Sequence, residues 1–247
     1  MTRASPAGRT VKALSLALTL WLSAWVPAAV AEPLQPFSAE YRIYVNKIPT
    51  PIKATLLLEP VAGKDRYHML FEAHSWMLNN REESWFRWNQ CAPRTERYEH
   101  EFNGFGKHRY YHTDFDWAKP GVITESEDGV EAFPIPEDAL DELSMLLRAR
   151  CVFASGDKEY DATSVYGDDL RHHHFVVVDR ETIDTPMGEL DTLVVEKKRD
   201  KDKDETRRTL FWVAPKVGYM VVKARHIESA LLHGELIMRE YNGPLPE

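Results

Sequence analysis

Signature motifs of the common enzyme classes are missing from this sequence. It has no GxSxG nucleophile elbow, no GxGxxG dinucleotide fingerprint and no phosphate-binding P-loop. Asp and Glu outnumber Lys and Arg by 39 to 31, the formal net charge is -8, and the most basic stretch, KKRDKDKDETRR (197–208), is interrupted by acids. Such a chain is repelled by nucleic acid and by anionic membrane surfaces. The sequence therefore predicts no nucleic-acid partner and no cofactor, and a non-catalytic role is favoured over an enzymatic one.

Cysteine is scarce, since only Cys91 and Cys151 occur in 247 residues. Neither lies in a local protease signature, which argues against a cysteine nucleophile. In an oxidising compartment two cysteines commonly pair. We therefore predict a Cys91–Cys151 disulfide, with two buried free thiols as the alternative.

Long apolar runs are also scarce, and the clearest one is ALSLALTLWLSAWV at 13–26. It is shorter than the roughly 20 residues that a membrane-spanning helix needs. The flanking residues complete a secretory signal peptide, with Arg3, Arg9 and Lys12 before the run and Ala29 and Ala31 after it. We predict a signal peptide over residues 1–31, cleavage after Ala31 and a periplasmic protein, with a membrane anchor as the alternative. The mature chain, 32–247, should form a single β-rich domain without a transmembrane segment.

Period-2 alternation of apolar and polar residues dominates the mature chain. In FSAEYRIYV (37–45) the apolar side chains fall on one face of an extended strand. Similar patterns joined by short polar connections recur along the chain and predict an antiparallel meander. Besides IKATLLLEP (52–60) and RYHMLFEA (66–73), the predicted strands are 78–90, 94–103, 107–116, 158–166, 171–180, 189–198, 206–214, 218–227 and 231–241.

One segment has helical rather than strand periodicity. PEDALDELSMLLRAR (136–150) places four leucines on one face, at 140, 143, 146 and 147. The arginines at 148 and 150 would complement the negative C-terminal end of this helix. The acids Asp138, Asp141 and Glu142 are interpreted as helix-terminus electrostatics rather than as a catalytic carboxylate cluster.

Three consecutive histidines run into an apolar strand pattern at 172–174. His172 and His174 would share one strand face and are weak candidates for metal ligands, because zinc sites usually need three or four ligands. His173 would face the core with Phe175. No metal site is predicted.

Aromatic residues are concentrated in SWMLNNREESWFRWNQC (75–91). Exposed aromatics on a concave sheet can line a lipid cavity or stack on sugars, whereas most large aromatics fill a core. The candidates for cavity lining are Trp85, Phe86, Trp88 and Trp212, and the core alternative stays open for each.

The order of several segments resembles the bacterial exported family known as domain of unknown function 3108, from about Phe37 to Tyr241. The segments are FSAEYRIYV, SWF followed by CAPRTERYEH, DELSMLLRAR, TIDTPMGELDTLVVE and TLFWVAPKVGYMVVKARHIE. The resemblance implies a mainly β protein, with a strongly curved antiparallel sheet or incomplete β-barrel and one covering α-helix at 136–150. In architecture it is also distantly similar to periplasmic lipoprotein carriers. The family offers no catalytic residues.

These features favour a periplasmic, non-catalytic protein that binds a lipid-like or amphipathic envelope molecule in a β-barrel-like cavity. The alternatives are a carbohydrate-active or hydrolytic envelope enzyme with a site assembled across strands, and a structural or protein-interaction module. The protein partner of such a module cannot be named from the sequence.

Overall fold

Strands make up most of the described chain. A computed structural model describes residue 1 and the ranges 33–198 and 207–245, so the predicted signal peptide lies outside the described residues. The strands are β1 Phe37–Val45, β2 Ile48–Pro60, β3 Arg66–His74, β4 Leu78–Asn89, β5 Ala92–Gly104, β6 Lys107–Asp116, β7 Gly121–Ser126, β8 Gly129–Pro134, β9 Leu140–Asp141, β10 Glu159–Tyr166, β11 Asp169–Thr185, β12 Gly188–Lys198, β13 Arg208–Ala214, β14 Met220–Ser229 and β15 Leu232–Asn242.

All these strands belong to one sheet built from two meanders that meet at β1. The order is β8-β7-β6-β5-β4-β3-β2-β1-β15-β14-β13-β12-β11-β10-β9, and every pair is antiparallel except β9 with β10. The outermost strands β8 and β9 do not pair in the described part of the chain. The two ends nevertheless approach each other, because the Thr124 hydroxyl on β7 donates to the Gly167 carbonyl after β10 at 3.1 Å. The predicted curved, incompletely closed sheet is confirmed.

The TPMG segment forms the turn between β11 and β12. Thr185 pairs with Gly188, and Gly188 has a φ of 101°, a conformation that L side chains rarely adopt. The Thr185 hydroxyl donates to the Gly188 carbonyl at 2.7 Å and accepts from the Met187 amide at 3.1 Å. The two connecting residues, Pro186 and Met187, thus fix the pairing register of the long β11–β12 hairpin.

The helix α1 spans Glu142–Ala154, so the predicted bounds of 136–150 were wrong at both ends. Asp141 is its N-cap, and the Asp141 carboxylate accepts from the amides of Leu143 and Ser144 at 2.8 and 2.9 Å. Leu140 pairs with β10 instead of joining the helix. Arg148 and Arg150 consequently lie inside the helix rather than at its C-terminal end.

The helix packs against the sheet along two buried clusters. Leu143 and Leu147 join the larger cluster, which includes Phe86 and Trp88, while Phe153 joins a second cluster with Phe175. Burial of such side chains stabilises a fold by roughly 1.5–3 kcal/mol each. The helix is thus held by its apolar stripe and not by intrinsic propensity alone.

A disulfide fixes α1 to the β4–β5 turn. Cys91 and Cys151 are bonded and their Cα atoms are 5.9 Å apart, as the sequence predicts. The Arg148 side chain donates to the Cys91 carbonyl at 2.5 Å. A covalent bond and a hydrogen bond therefore fasten the helix to the same turn.

Candidate ligand-binding cavity

An apolar cavity of about 310 Å³ lies between α1 and the sheet. The helix contributes a stripe at the spacing of one face, and β1, β3, β11, β13 and β14 are among the strands that contribute the opposite wall. The stripe includes Glu142, Leu146, Ala149, Arg150 and Phe153, and the flanking Leu143, Met145 and Leu147 also line the cavity. Aromatic rings also line the cavity, namely Phe37, Tyr41, Phe71, Phe153, Phe175, Phe211 and Tyr219. This size and lining are typical of small-molecule sites.

Strand alternation decides which side chains reach the cavity. Phe211 and Val213 on β13 line it, whereas Trp212 between them does not. Successive side chains of a strand point to opposite faces. The phenyl ring of Phe211 therefore points to the cavity, and the larger indole of Trp212 lies on the other face of β13.

Two carboxylates, Glu82 on β4 and Glu142 on α1, line the cavity together with Lys197. Burial raises the pKa of Glu82, and the neighbouring charges of Glu142 and Asp141 add to this, against hydrogen bonds from Tyr98 and Asn80. For Glu142, burial acts in the same direction, but the His173 ring, with Nε2 3.6 Å from Oε1, the hydrogen bond from Ser164 and the charge of Lys197 outweigh it and lower the pKa. The two carboxyl groups therefore differ in their tendency to hold a proton.

Glu82→Gln should flatten the pH dependence of stability. A carboxyl whose pKa is raised on folding contributes stability that is fully present below its ordinary pKa of about 4.5 and is lost as the pH rises through the raised value. Wild type should therefore become progressively less stable than Glu82→Gln as the pH rises across that window. Urea unfolding at a series of pH values measures the difference.

The adjacent Glu83 provides a control of opposite sign. Burial alone would raise the pKa of Glu83, but hydrogen bonds and charge from Arg81 and His68 hold it below the ordinary value. Wild type should lose stability relative to Glu83→Gln as the pH falls through the lowered pKa. Parallel curves for both variants would contradict these assignments.

Ser164, His173 and Glu142 form a hydrogen-bonded trio beside the cavity. The Ser164 hydroxyl donates to Glu142 Oε1 at 2.7 Å and lies 2.8 Å from His173 Nε2. A serine hydrolase instead places the acid on the second ring nitrogen of the histidine, and His173 Nδ1 is buried here without a described partner. Ser164 is also fully buried and does not line the cavity. The trio joins α1 to β10 and β11 but lacks the geometry of a nucleophile and its base.

Arg150 lies eight residues after Glu142 on the same helix face, about 12 Å further along the axis. Its Nε donates to the Gly218 carbonyl at 2.8 Å, and its guanidinium carbon lies 5.3 Å from the centre of the Phe37 ring. Burial lowers the pKa of Arg150. The cavity therefore has carboxylates towards one end of α1 and a guanidinium towards the other.

The four aromatic candidates from the sequence do not line this cavity. Phe86 and Trp88 are buried in the core. Trp85 is on the opposite face of β4, where it stacks on His68 with ring centres 4.8 Å apart. Trp212 is buried, and its indole N–H donates to the Glu181 carboxylate at 2.7 Å. Phe86 and Trp88 therefore fill the core next to Leu143 and Leu147, whereas Trp85 and Trp212 contact other side chains outside the cavity.

The histidines separate as strand alternation predicts. His172 and His174 are exposed and contact Thr163 and Asp161 across the β10–β11 pair, at 3.0 and 2.8 Å. His173 is buried, with its ring 6.0 Å from that of Phe175. Over the described ranges, no three His, Cys, Asp or Glu side chains are grouped to hold a metal ion.

The sequence did not single out Glu82, Arg150 or Lys197 as site residues. Each is a common surface residue type, and its position towards the cavity depends on strand pairing distant in sequence. The one available signal was Arg150 on the same helical stripe as Leu146, which would place a charge on an apolar face.

Known proteins share both the fold and the sequence pattern of this chain. A solved structure described as a β-barrel-like protein of domain of unknown function DUF1849 from Brucella abortus is similar, with a TM-score of 0.55 and 9% identity over 86% of this chain and 99% of that one. No curated protein matches the chain. None of the helical segments that the structure describes has the length and apolar character of a membrane span. The model of the family described as "Protein of unknown function (DUF3108)" matches residues 40–231, which is most of the sequence, and the chain therefore belongs to the DUF3108 family.

Proposed function

We propose that this protein is an exported, non-catalytic binding protein that holds a lipid-like, amphipathic molecule of the cell envelope in the cavity beneath α1. The observation that carries the proposal is the cavity itself, about 310 Å³ with a mainly apolar lining and charged groups at a few positions. Ligand sites combine an apolar wall with a small number of polar groups that orient the ligand. The Cys91–Cys151 disulfide supports an oxidising compartment such as the periplasm.

The cavity size favours a ligand with one hydrocarbon chain. An engineered apolar cavity of roughly 150 Å³ in another protein holds benzene, which has six carbon atoms. A cavity of about twice that volume suits a chain of roughly a dozen carbon atoms. A two-chain phospholipid would need considerably more space.

Ala149→Phe should block binding without destabilising the protein. Ala149 lines the cavity, so a phenyl ring at this position would occupy part of the space meant for the ligand. We expect affinity for the neutral fluorescent probe N-phenyl-1-naphthylamine to fall at least about tenfold, or roughly 1.4 kcal/mol. Filling the cavity should leave stability unchanged or raised.

Ala154→Phe is the matched control, because Ala154 is exposed at the end of the same helix. This variant should bind the probe like wild type. If wild type binds no probe, or if the two variants lose affinity equally, the cavity is not the binding site.

A second candidate function is hydrolysis of an envelope carbohydrate or ester, favoured by Glu82 and Glu142. Both line the cavity, and their pKa values are displaced in opposite directions, as in pairs that act as general acid and base. Turnover of a glycoside or ester substrate that is lost in both Glu82→Gln and Glu142→Gln would support this function over binding alone.

A further inference from the structure

Arg150 is a partly buried cation without a matching anion in the described residues. A guanidinium has five N–H donors, yet the hydrogen bond described for it is the one from Nε to the Gly218 carbonyl. Its Nη1 atom is buried with no partner among the described residues. An unpaired buried charge is unfavourable unless an anion or further acceptors satisfy it.

The groups around Arg150 are neutral or aromatic. The Phe37 ring lies against the guanidinium, and Tyr41 and Tyr241 are the titratable side chains whose electrostatic effect reaches it. The acids of the cavity, Glu82 and Glu142, are towards the other end of α1 and do not act on it. The positive charge at this end of the cavity is therefore uncompensated by the described residues.

Resting on the proposed function, we infer that the ligand is a single-chain carboxylic acid whose carboxylate binds Arg150 and whose chain occupies the apolar cavity. A guanidinium fork matches a carboxylate in geometry and can bind it through two parallel hydrogen bonds. One carboxylate also balances one guanidinium charge, whereas a phosphate dianion would leave a buried negative charge. Glu82 and Glu142 disfavour the opposite orientation, because their two carboxylates outnumber the one cation beside them, Lys197, whose charge already acts on Glu142.

The test compares dodecanoate with dodecan-1-ol, which has the same chain and no charge, by calorimetric titration at pH 8 below micelle-forming concentrations. Wild type should bind dodecanoate at least about tenfold more tightly than dodecan-1-ol, the size expected for a hydrogen bond to a charged group. Arg150→Met should remove this preference and retain the affinity for dodecan-1-ol. Dodecyl phosphate should bind wild type more weakly than dodecanoate.

Arg148→Met is the matched control, since Arg148 is on the same helix, contacts the Cys91 carbonyl and does not line the cavity. It should keep the full preference for dodecanoate. A retained preference in Arg150→Met, equal affinities in wild type, or tighter binding of dodecyl phosphate would each overturn the carboxylate assignment while the proposed binding function stands. Binding of none of the three compounds to wild type would instead contradict the proposed function.

Should Arg150→Met fold poorly, Arg150→Lys supplies a second test. It keeps the charge but loses the planar fork, so its preference for dodecanoate should fall between those of wild type and a neutral variant. A preference equal to that of wild type would show that the fork does not bind the carboxylate.

Discussion

Replacement of Asp141 by alanine is expected to lower the free energy of unfolding by about 4 kcal/mol. Asp141 is fully buried, and its carboxylate accepts four hydrogen bonds. Oδ1 caps the first turn of α1, while Oδ2 accepts from the hydroxyls of Ser84 and Thr95 at 2.7 and 2.5 Å. Alanine would leave these donors buried without their acceptor, which costs about 1–3 kcal/mol for each donor that finds no substitute.

Two variants control for this interpretation. Asp141→Asn keeps one acceptor for the helix cap and should lose about half as much, roughly 2 kcal/mol. Asp138→Ala removes an exposed acid outside the helix and should change stability by less than about 0.5 kcal/mol. Chemical denaturation measures all three, and a loss below about 1 kcal/mol in Asp141→Ala would refute the role of this network.

Removal of the disulfide should have a similarly large effect. Cys91 and Cys151 are 60 positions apart, so cross-linking them restricts the unfolded chain by an amount worth about 4 kcal/mol in the chain-entropy description. The Cys91→Ala, Cys151→Ala double variant should be destabilised by roughly that amount. Urea unfolding of the variant and of wild type provides the comparison.

Reductant supplies the control for the disulfide prediction. Dithiothreitol should destabilise wild type to nearly the level of the double variant and should not change the double variant further. Equal stability of oxidised and reduced wild type would show that the bond does not hold α1 against the β4–β5 turn.

Much of the fold follows from local patterns in the sequence. Alternation in FSAEYRIYV predicts β1 with its observed bounds. The strand predicted over KHRYYHTDFD (107–116) likewise has the bounds of the observed β6. The strands β7 and β8 were missed, since GVITES and GVEAFP are short and β8 is largely exposed, which leaves little apolar alternation to detect.

The helix shows how tertiary pairing overrides a local pattern. The leucine spacing from 140 to 147 is helical throughout, yet Leu140 pairs with Ser164 on β10 and the helix begins only after Asp141. Asp141 was grouped with other acids near a helix end, and its second role, as acceptor for the Ser84 and Thr95 hydroxyls, became visible only with β4 and β5 placed beside it.

The cavity could be anticipated in kind but not in detail. Amphipathic strands and one apolar helix predict an apolar interior, and aromatic rings do line the cavity. Which rings do so depends on the register: Phe86 faces the packed core, whereas Phe175 and Phe211 reach the cavity. Arg150 could not be assigned, because the absence of an acidic partner among the described residues follows from the folded arrangement of distant strands.

Native mass spectrometry of the protein purified from its own cells, without detergent, tests the central claim most directly. The account predicts a bound mass of a single-chain amphiphile in wild type, released on denaturation and absent from Ala149→Phe. Wild type that carries no such mass, and that takes up neither dodecanoate nor dodecan-1-ol when they are added, would contradict a ligand-binding cavity beneath α1.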